Sequence, residues 1–169
     1  MLIYHPATDF YHCWMRFASV LLDCGADGIE FDRIRIMDFL LCFPQEISEC
    51  RLPAEHSLDL RKRIRQLPKT YEDPSSIRQG FSQMKKIQGQ VAMDMVAKGI
   101  VQRDKYREGI LIPGAQSSNS ALLQSVAGEW EVRRQEWYHL AVSVLRTIPL
   151  NGKDGLKDRS GLLEFRYDE

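Results

Sequence analysis

The densest group of charged side chains in this sequence lies in the segment RKRIRQLPK, residues 61–69. Its helix-like spacing places four cations close together: Arg61, Lys62, Arg63 and Arg65. Guanidinium and ammonium groups bind phosphate and carboxylate oxygens, so such a run can contact nucleic acid or an acidic protein surface. A run of charges on a helix is also often a plain solvated face. The sequence alone fits both a contact surface for an anionic partner and a solvated helix face.

A second basic group lies in the segment VAKGIVQRDKYREGILIPG, residues 96–114, and consists of Arg103, Lys105 and Arg107. Short apolar runs flank it at residues 100–101 and 110–112. A helix that ends in glycine and is followed by two short apolar runs around a polar loop is typical of a helix and a β-hairpin. The pattern predicts a winged-helix-like core with its wing at about residues 100–112 and the three cations at the tip of the wing.

The helix before this wing argues against direct reading of DNA bases. A recognition helix that enters the major groove presents polar and basic side chains. The segment GQVAMDMVAKG, residues 89–99, offers only Gln90, Asp94 and Lys98 as polar side chains. We therefore expect weak or indirect contact with DNA, and a wing that docks on protein.

The sequence contains none of the common enzyme signatures. It has no GxxxxGK[ST], GxGxxG, GxSxG or HExxH motif. Its four histidines are scattered and its four cysteines form no CxxC pair: His5, His12, His56, His139, Cys13, Cys24, Cys42 and Cys50. We predict reduced, buried thiols and a non-enzymatic chain that binds no metal or cofactor.

Helical periodicity dominates the elements that would position these groups. Asp9 is a plausible N-cap for a first helix, and a second, apolar nearly all round, starts near Asp32 and should be buried centrally. A short helix carries the basic run, and two consecutive helices, about 74–86 and 88–98, precede the wing. The fold class that this pattern indicates is mainly α with a small β-hairpin.

The last third of the chain predicts one long helix, about 27 residues or roughly 40 Å at 1.5 Å per residue, capped by Asn119. Its apolar residues recur at heptad-like spacing, and Arg133 and Arg134 interrupt the pattern. Such a helix can dock on a coiled coil or a helical partner. The candidate residues for this contact are Trp130, Arg133, Arg134 and Trp137. Packing of this helix on its own domain is the alternative. The final GLLEFRYDE alternates enough to form an edge strand.

Composition limits the class of protein. With 169 residues and 44% hydrophobic content, the chain can form an ordinary globular core, which we divide into a domain at 1–114 and a C-terminal part at 115–169. The zero net charge hides an asymmetry, because residues 1–50 carry −5 and residues 51–108 carry +6. No apolar stretch is long enough for a membrane span and no secretory signal is visible, so we expect a cytoplasmic protein.

Several segments together resemble a known family. They are YHPATDFYH, FDRIRIMDFLLCFP, RLP, YEDP and FSQMKKIQGQVAMDMVAKGIV, and they cover about residues 2 to 102. In type and order they are similar to the small middle component of three-component ABC-ATPase systems, which include the Lamassu antiphage and antiplasmid defence systems. These motifs consist of apolar helix faces and turn residues, and none of them is catalytic.

The resemblance implies a bacterial accessory subunit that bridges or restrains its partners. Those partners would be an SMC-like ABC ATPase that senses foreign DNA and a nuclease effector. ATP and magnesium would then belong to the ATPase partner. A stand-alone winged-helix transcriptional regulator is the alternative, and it would dimerise and bind duplex DNA alone.

Overall fold

The computed structural model describes residues 5–69, 76–115 and 117–163 of the chain. Within these ranges the elements are α1 (Phe10–Cys24), β1 (Ile29–Glu30), α2 (Phe31–Cys42), α3 (Ala54–Arg65), α4 (Ile77–Ala97), α5 (Arg103–Arg107), β2 (Ile110–Leu111), α6 (Ser117–Glu129), α7 (Glu136–Thr147) and α8 (Leu156–Ser160). Short 3-10 turns lie at Gly25–Asp27, Pro44–Ser48 and Glu131–Arg134. The expected mainly-α fold with a small antiparallel β element is confirmed.

Helix α1 lies at the centre of the fold. The Asp9 side chain accepts a hydrogen bond from the backbone N–H of His12 at 2.8 Å, which caps the helix as its sequence predicts. At the other end Gly25 adopts a φ of 60° and closes the helix. Between these ends α1 packs against α2, α4 and α6, so a single helix connects most of the core.

Helix α2 is buried on nearly all sides, as its apolar circumference predicts. Every residue from Arg33 to Leu41 is buried, although three of them are charged. Those three, Arg33, Arg35 and Asp38, all form ion pairs or hydrogen bonds with other elements, because a charge inside a core requires a partner.

Helix α4 is continuous over Ile77–Ala97, where the sequence predicted two helices at about 74–86 and 88–98. The prediction of a break near residue 87 was wrong. Glycine costs a helix interior about 1 kcal/mol against alanine, and burial of one face from Phe81 to Met95 outweighs that cost. The predicted start at residue 74 lies outside the described residues.

The β element pairs differently from the predicted wing. Strand β2 is antiparallel to β1, with Ile29 opposite Leu111 and Glu30 opposite Ile110. Val101 forms only an isolated bridge with Pro113, and the charged loop between the two apolar runs folds into the short helix α5. The Gln102 N–H donates to the Ile112 carbonyl oxygen at 3.0 Å, and the Gly114 N–H donates to the Ile100 carbonyl oxygen at 2.7 Å, so the two predicted segments do pair antiparallel. The prediction fails in its register, because Ile110 and Leu111 pair with β1.

Gly28 allows this unexpected pairing. A Cβ at this position, where φ is 69°, would lie 2.5 Å from the carbonyl oxygen of Leu111. Only glycine lets the backbone turn here and still approach β2 so closely. Strand β1 is thus the partner of β2, although the two strands are far apart along the chain.

The predicted long C-terminal helix is two helices, α6 and α7, joined by the 3-10 turn Glu131–Arg134. Helix α6 packs along α1, and α7 packs against α3 and α2. The break occurs where Trp130 turns inward against Tyr138, with ring centroids 5.5 Å apart, and where Arg133 binds Asp23. Of the predicted C-terminal strand, residues 161–163 are not a strand and residues 164–169 lie outside the described ranges.

Within the described ranges, no helix combines the length and apolar character needed to cross a lipid bilayer.

Candidate interaction surfaces

A buried polar network joins the three central helices. Arg16 on α1 donates from Nε to Asp38 Oδ1 on α2 at 2.6 Å. Gln88 on α4 donates to the other Asp38 oxygen at 2.8 Å and accepts from Arg35 Nε at 3.1 Å. Arg16, Asp38 and Gln88 are each 2% exposed or less. These groups are shielded from solvent, and their bonds stabilise the packing of α1, α2 and α4.

The four thiols are free, and their surroundings hold them in the protonated form. Cys13, Cys24 and Cys50 are buried, as the sequence predicts, and Cys42 is half-buried. Burial raises the pKa of Cys24 and of Cys42 to about 11, and that of Cys50 to about 12. Because the thiolate is the nucleophile and the metal ligand, these four residues are poor candidates for catalysis or metal binding.

The described residues contain no group of three or more His, Cys, Asp or Glu side chains arranged to hold a metal ion.

Two charged residues attach α7 to the N-terminal half. Arg33 donates from Nη1 to the carbonyl oxygens of Leu145 at 2.8 Å and Ile148 at 2.7 Å, near the end of α7. Asp23, at the end of α1, accepts from Arg133 at 2.8 Å and from the Tyr138 hydroxyl at 2.6 Å. The Arg33 bonds satisfy carbonyls at the end of α7 that would otherwise lack partners in the core, and the Asp23 bonds tie α1 to the start of α7.

The structure separates the four cations of the basic run into two pairs. Arg61 donates to the Cys50 carbonyl oxygen at 2.9 Å, and Arg63 bonds Asp59 on its own helix and Glu136 on α7. Lys62 and Arg65 are exposed. They share a face of α3 with Leu58, which is 76% exposed, since residues at i, i+4 and i+7 lie above one another on a helix. Within the basic run, Lys62 and Arg65 are the two cations that the structure leaves exposed.

The three cations of the predicted wing lie on α5. Lys105 pairs with Glu108 at 2.8 Å and Arg107 pairs with Asp104 at 3.7 Å, so two of the three face carboxylates of the same segment. Arg103 is exposed. A duplex would have to compete with these carboxylates, which makes α5 a weak phosphate contact.

The four residues that the sequence predicts as a contact for a helical partner interact with other parts of this chain in the structure. Trp130 and Trp137 are 9% and 5% exposed and belong to the core. Arg133 is bonded to Asp23, and Arg134 donates to the Gly128 carbonyl oxygen at 3.2 Å. These side chains pack the helix on its own chain, because burying the two indoles gains more than exposing them.

The sequence missed a groove between α4 and α5. It has a volume of about 720 Å³, and its lining comprises Ser82, Lys85, Lys86, Gly89, Gln90, Met93 and Tyr106. Met93 is 60% exposed. The available signal was Gly89, which lies four residues before Met93 and therefore on the same helix face.

Comparison with curated proteins gives no match, and comparison with solved structures gives none either. A family model does match, and it covers residues 2–168, which extends the resemblance of residues 2 to 102 through the last third of the chain. The family is described as ABC-three component (ABC-3C) system Middle Component 5. A match over nearly the whole length shows the family, so this chain is a member of the Middle Component 5 family of ABC-three component systems.

Proposed function

We propose that this chain is a non-enzymatic accessory subunit that bridges an SMC-like ABC ATPase and a nuclease effector in an antiphage or antiplasmid defence complex of the Lamassu type. In this role it restrains the effector, or licenses it when the ATPase senses foreign DNA. ATP and magnesium bind the ATPase partner, and the complex acts in the cytoplasm. The observation that carries the proposal is the family match over residues 2–168, because a middle component belongs to a system of several parts.

The bonding of the buried ionic groups and the burial of the thiols support a binding role. The buried ionic groups Arg16, Asp38 and Arg33 are bonded to other parts of the chain. The four thiols are protonated and lie in the core or at its edge. What the chain offers to other molecules is its surface, chiefly the exposed face of α3 and the groove beside α4.

Co-expression with the two co-encoded components tests this role. We expect an affinity-tagged chain to purify in a stoichiometric complex with the ATPase. We also expect the isolated chain to bind duplex DNA weakly, since its net charge is zero. The alternative, a stand-alone transcriptional regulator, predicts a chain that purifies as a homodimer without the ATPase. It also predicts tight duplex binding that falls steeply as the salt concentration rises.

The exposed face of α3 provides a functional test of the basic run. Reversing Lys62 and Arg65 to glutamate should abolish phage or plasmid restriction and leave the melting temperature within about 2 °C, because surface substitutions change stability little. Arg61 and Arg63 are left unchanged because they bond Cys50 and Glu136.

The matched control for this test is Lys153→Glu, which reverses an exposed charge away from α3. Normal restriction by the Lys62→Glu/Arg65→Glu variant would assign the basic run to solvent.

A further inference from the structure

The outer face of α4 carries a groove that no residue in the described ranges fills. The inner face of this helix packs on α1 and α2. The outer face, from Ser82 to Met93, forms the groove wall opposite Tyr106 of α5. The eleven steps from Ser82 to Met93 span about 16 Å along the helix, which is the length of three turns of a helix lying alongside. The groove is therefore large enough for a short helical segment.

Gly89 opens the floor of this groove. A Cβ built at this position meets no atom within 4 Å, so no part of the chain that the structure describes requires a glycine there. Glycine costs a helix interior about 1 kcal/mol against alanine, and the fold gains no internal contact in exchange. The missing side chain lets another backbone approach α4 closely, which is the way small residues work at helix–helix contacts.

The walls of the groove are apolar. Met93 exposes 60% of its surface, and methionine adapts its shape to different partners. Tyr106 is held in place by an edge-on contact with Phe31, with ring centroids 5.7 Å apart. A rigid aromatic beside a flexible methionine fits apolar side chains of a protein better than the phosphates of a duplex.

The rim of the groove is positive. Lys85 and Lys86 are exposed, and neither makes an ion pair with any residue in the part of the chain that the structure describes. Asp94, the one acidic residue of α4, is bonded to Lys98 and to the Trp14 indole N–H. The complementary partner therefore carries carboxylates beside its apolar side chains.

We propose that the groove between α4 and α5 receives an acidic amphipathic helix from another component of the same system. Its apolar side chains pack over Gly89 and between Met93 and Tyr106, and its carboxylates pair with Lys85 and Lys86. This inference rests on the proposed accessory role and names the chemistry of the partner segment.

Substitutions at Gly89 test the groove without harming the fold. Gly89→Leu places a side chain in the open space, and should weaken binding to the purified ATPase or effector component at least about tenfold. The melting temperature should not fall, because the substitution also removes a helix glycine. Gly128→Leu is the matched control, since Gly128 is exposed in α6 with nothing within 4 Å of an added Cβ. That control should bind as the wild type does.

Charge reversal tests the rim. Lys85→Glu/Lys86→Glu should weaken binding to the same component about tenfold or more, and Lys153→Glu, a charge reversal at an exposed residue outside α4 and α5, should not. A photo-crosslinking residue in place of Met93 should attach to an acidic helical segment of that component.

The outcomes separate this inference from the proposed function. A wild-type chain that binds neither component contradicts both. Normal binding by Gly89→Leu and by the double lysine variant contradicts the groove alone and leaves the accessory role standing. Loss of duplex binding in the lysine variant, with unchanged binding to both components, would show that the rim contacts nucleic acid and would overturn the helix proposal.

Discussion

At the scale of single residues, the chain uses its buried charges to hold helices together. Arg16 and Asp38 are 2.6 Å apart at the meeting point of α1 and α2, and Gln88 adds α4 to the same network. A buried ion pair gains little over an apolar pair but costs much when one partner is removed, because the other charge is left without compensation. The three helices are thus fixed in one arrangement that presents the outer face of α4.

Removing Asp38 should destabilise the fold strongly. For Asp38→Leu we expect a loss of about 3–5 kcal/mol in the free energy of unfolding, since the Arg16 charge stays buried without its partner. Urea or guanidinium titration measures it. The double variant Arg16→Met/Asp38→Leu should recover a large part of the loss, and strictly additive effects would contradict a coupled pair.

The buried thiols should make the fold sensitive to alkali. The folded-state pKa values of Cys24 and Cys50 are raised to about 11 and about 12, whereas in the unfolded chain the thiols ionise near their ordinary value. Their contribution to stability is therefore complete below pH 9 and is lost as the pH rises through 11. Each thiol steepens the fall in the free energy of unfolding by about 1.4 kcal/mol per pH unit in this window.

Chemical unfolding of wild type and of Cys24→Ala/Cys50→Ala between pH 8 and pH 11 checks this prediction. The variant should lose stability less steeply above pH 9, because it lacks both titrating groups. Parallel slopes for the two proteins would show that these thiols ionise alike in the folded and unfolded chains.

At the scale of elements, the sequence predicted the features that depend only on residues close together along the chain. The Asp9 cap and the apolar circumference of α2 are visible in the sequence and are present in the structure. The partner of β2 was missed because Ile29 and Leu111 are far apart along the chain. The break after α6 was missed because a tertiary contact, Arg133 with Asp23, decides it. Periodicity carries no information about such distant contacts.

The candidate surfaces, too, were visible in the sequence only in part. The basic run was correctly identified as a cluster of cations, but only the structure shows that Arg61 and Arg63 are used internally while Lys62 and Arg65 face outward. The groove depends on α5 lying beside Gly89 and Met93. The sequence predicted a hairpin there, so the groove could not be foreseen.

Arg33 should determine how firmly α7 is attached. Arg33→Met removes the donor that satisfies the Leu145 and Ile148 carbonyls, and we expect a loss of about 2 kcal/mol in the free energy of unfolding. Hydrogen–deuterium exchange should accelerate near the end of α7 and remain slow in α1. Unchanged exchange in α7 would show that apolar packing alone holds this helix.

At the scale of the whole molecule, one core includes residues from Ala7 to Leu162, and both halves of the chain contribute to it. The exposed face of α3 and the α4–α5 groove lie on different helices of this fold, and each carries exposed cations. If both are used as proposed, one small subunit contacts two partners at once. That is the property a bridging component requires.

The most direct test of the bridging role is capture of the ATPase by a tagged effector, with and without this chain. We predict that the effector retains the ATPase only when this chain is present, and that Gly89→Leu reduces the recovery while Gly128→Leu does not. Equal recovery of the ATPase in the absence of this chain would contradict the account.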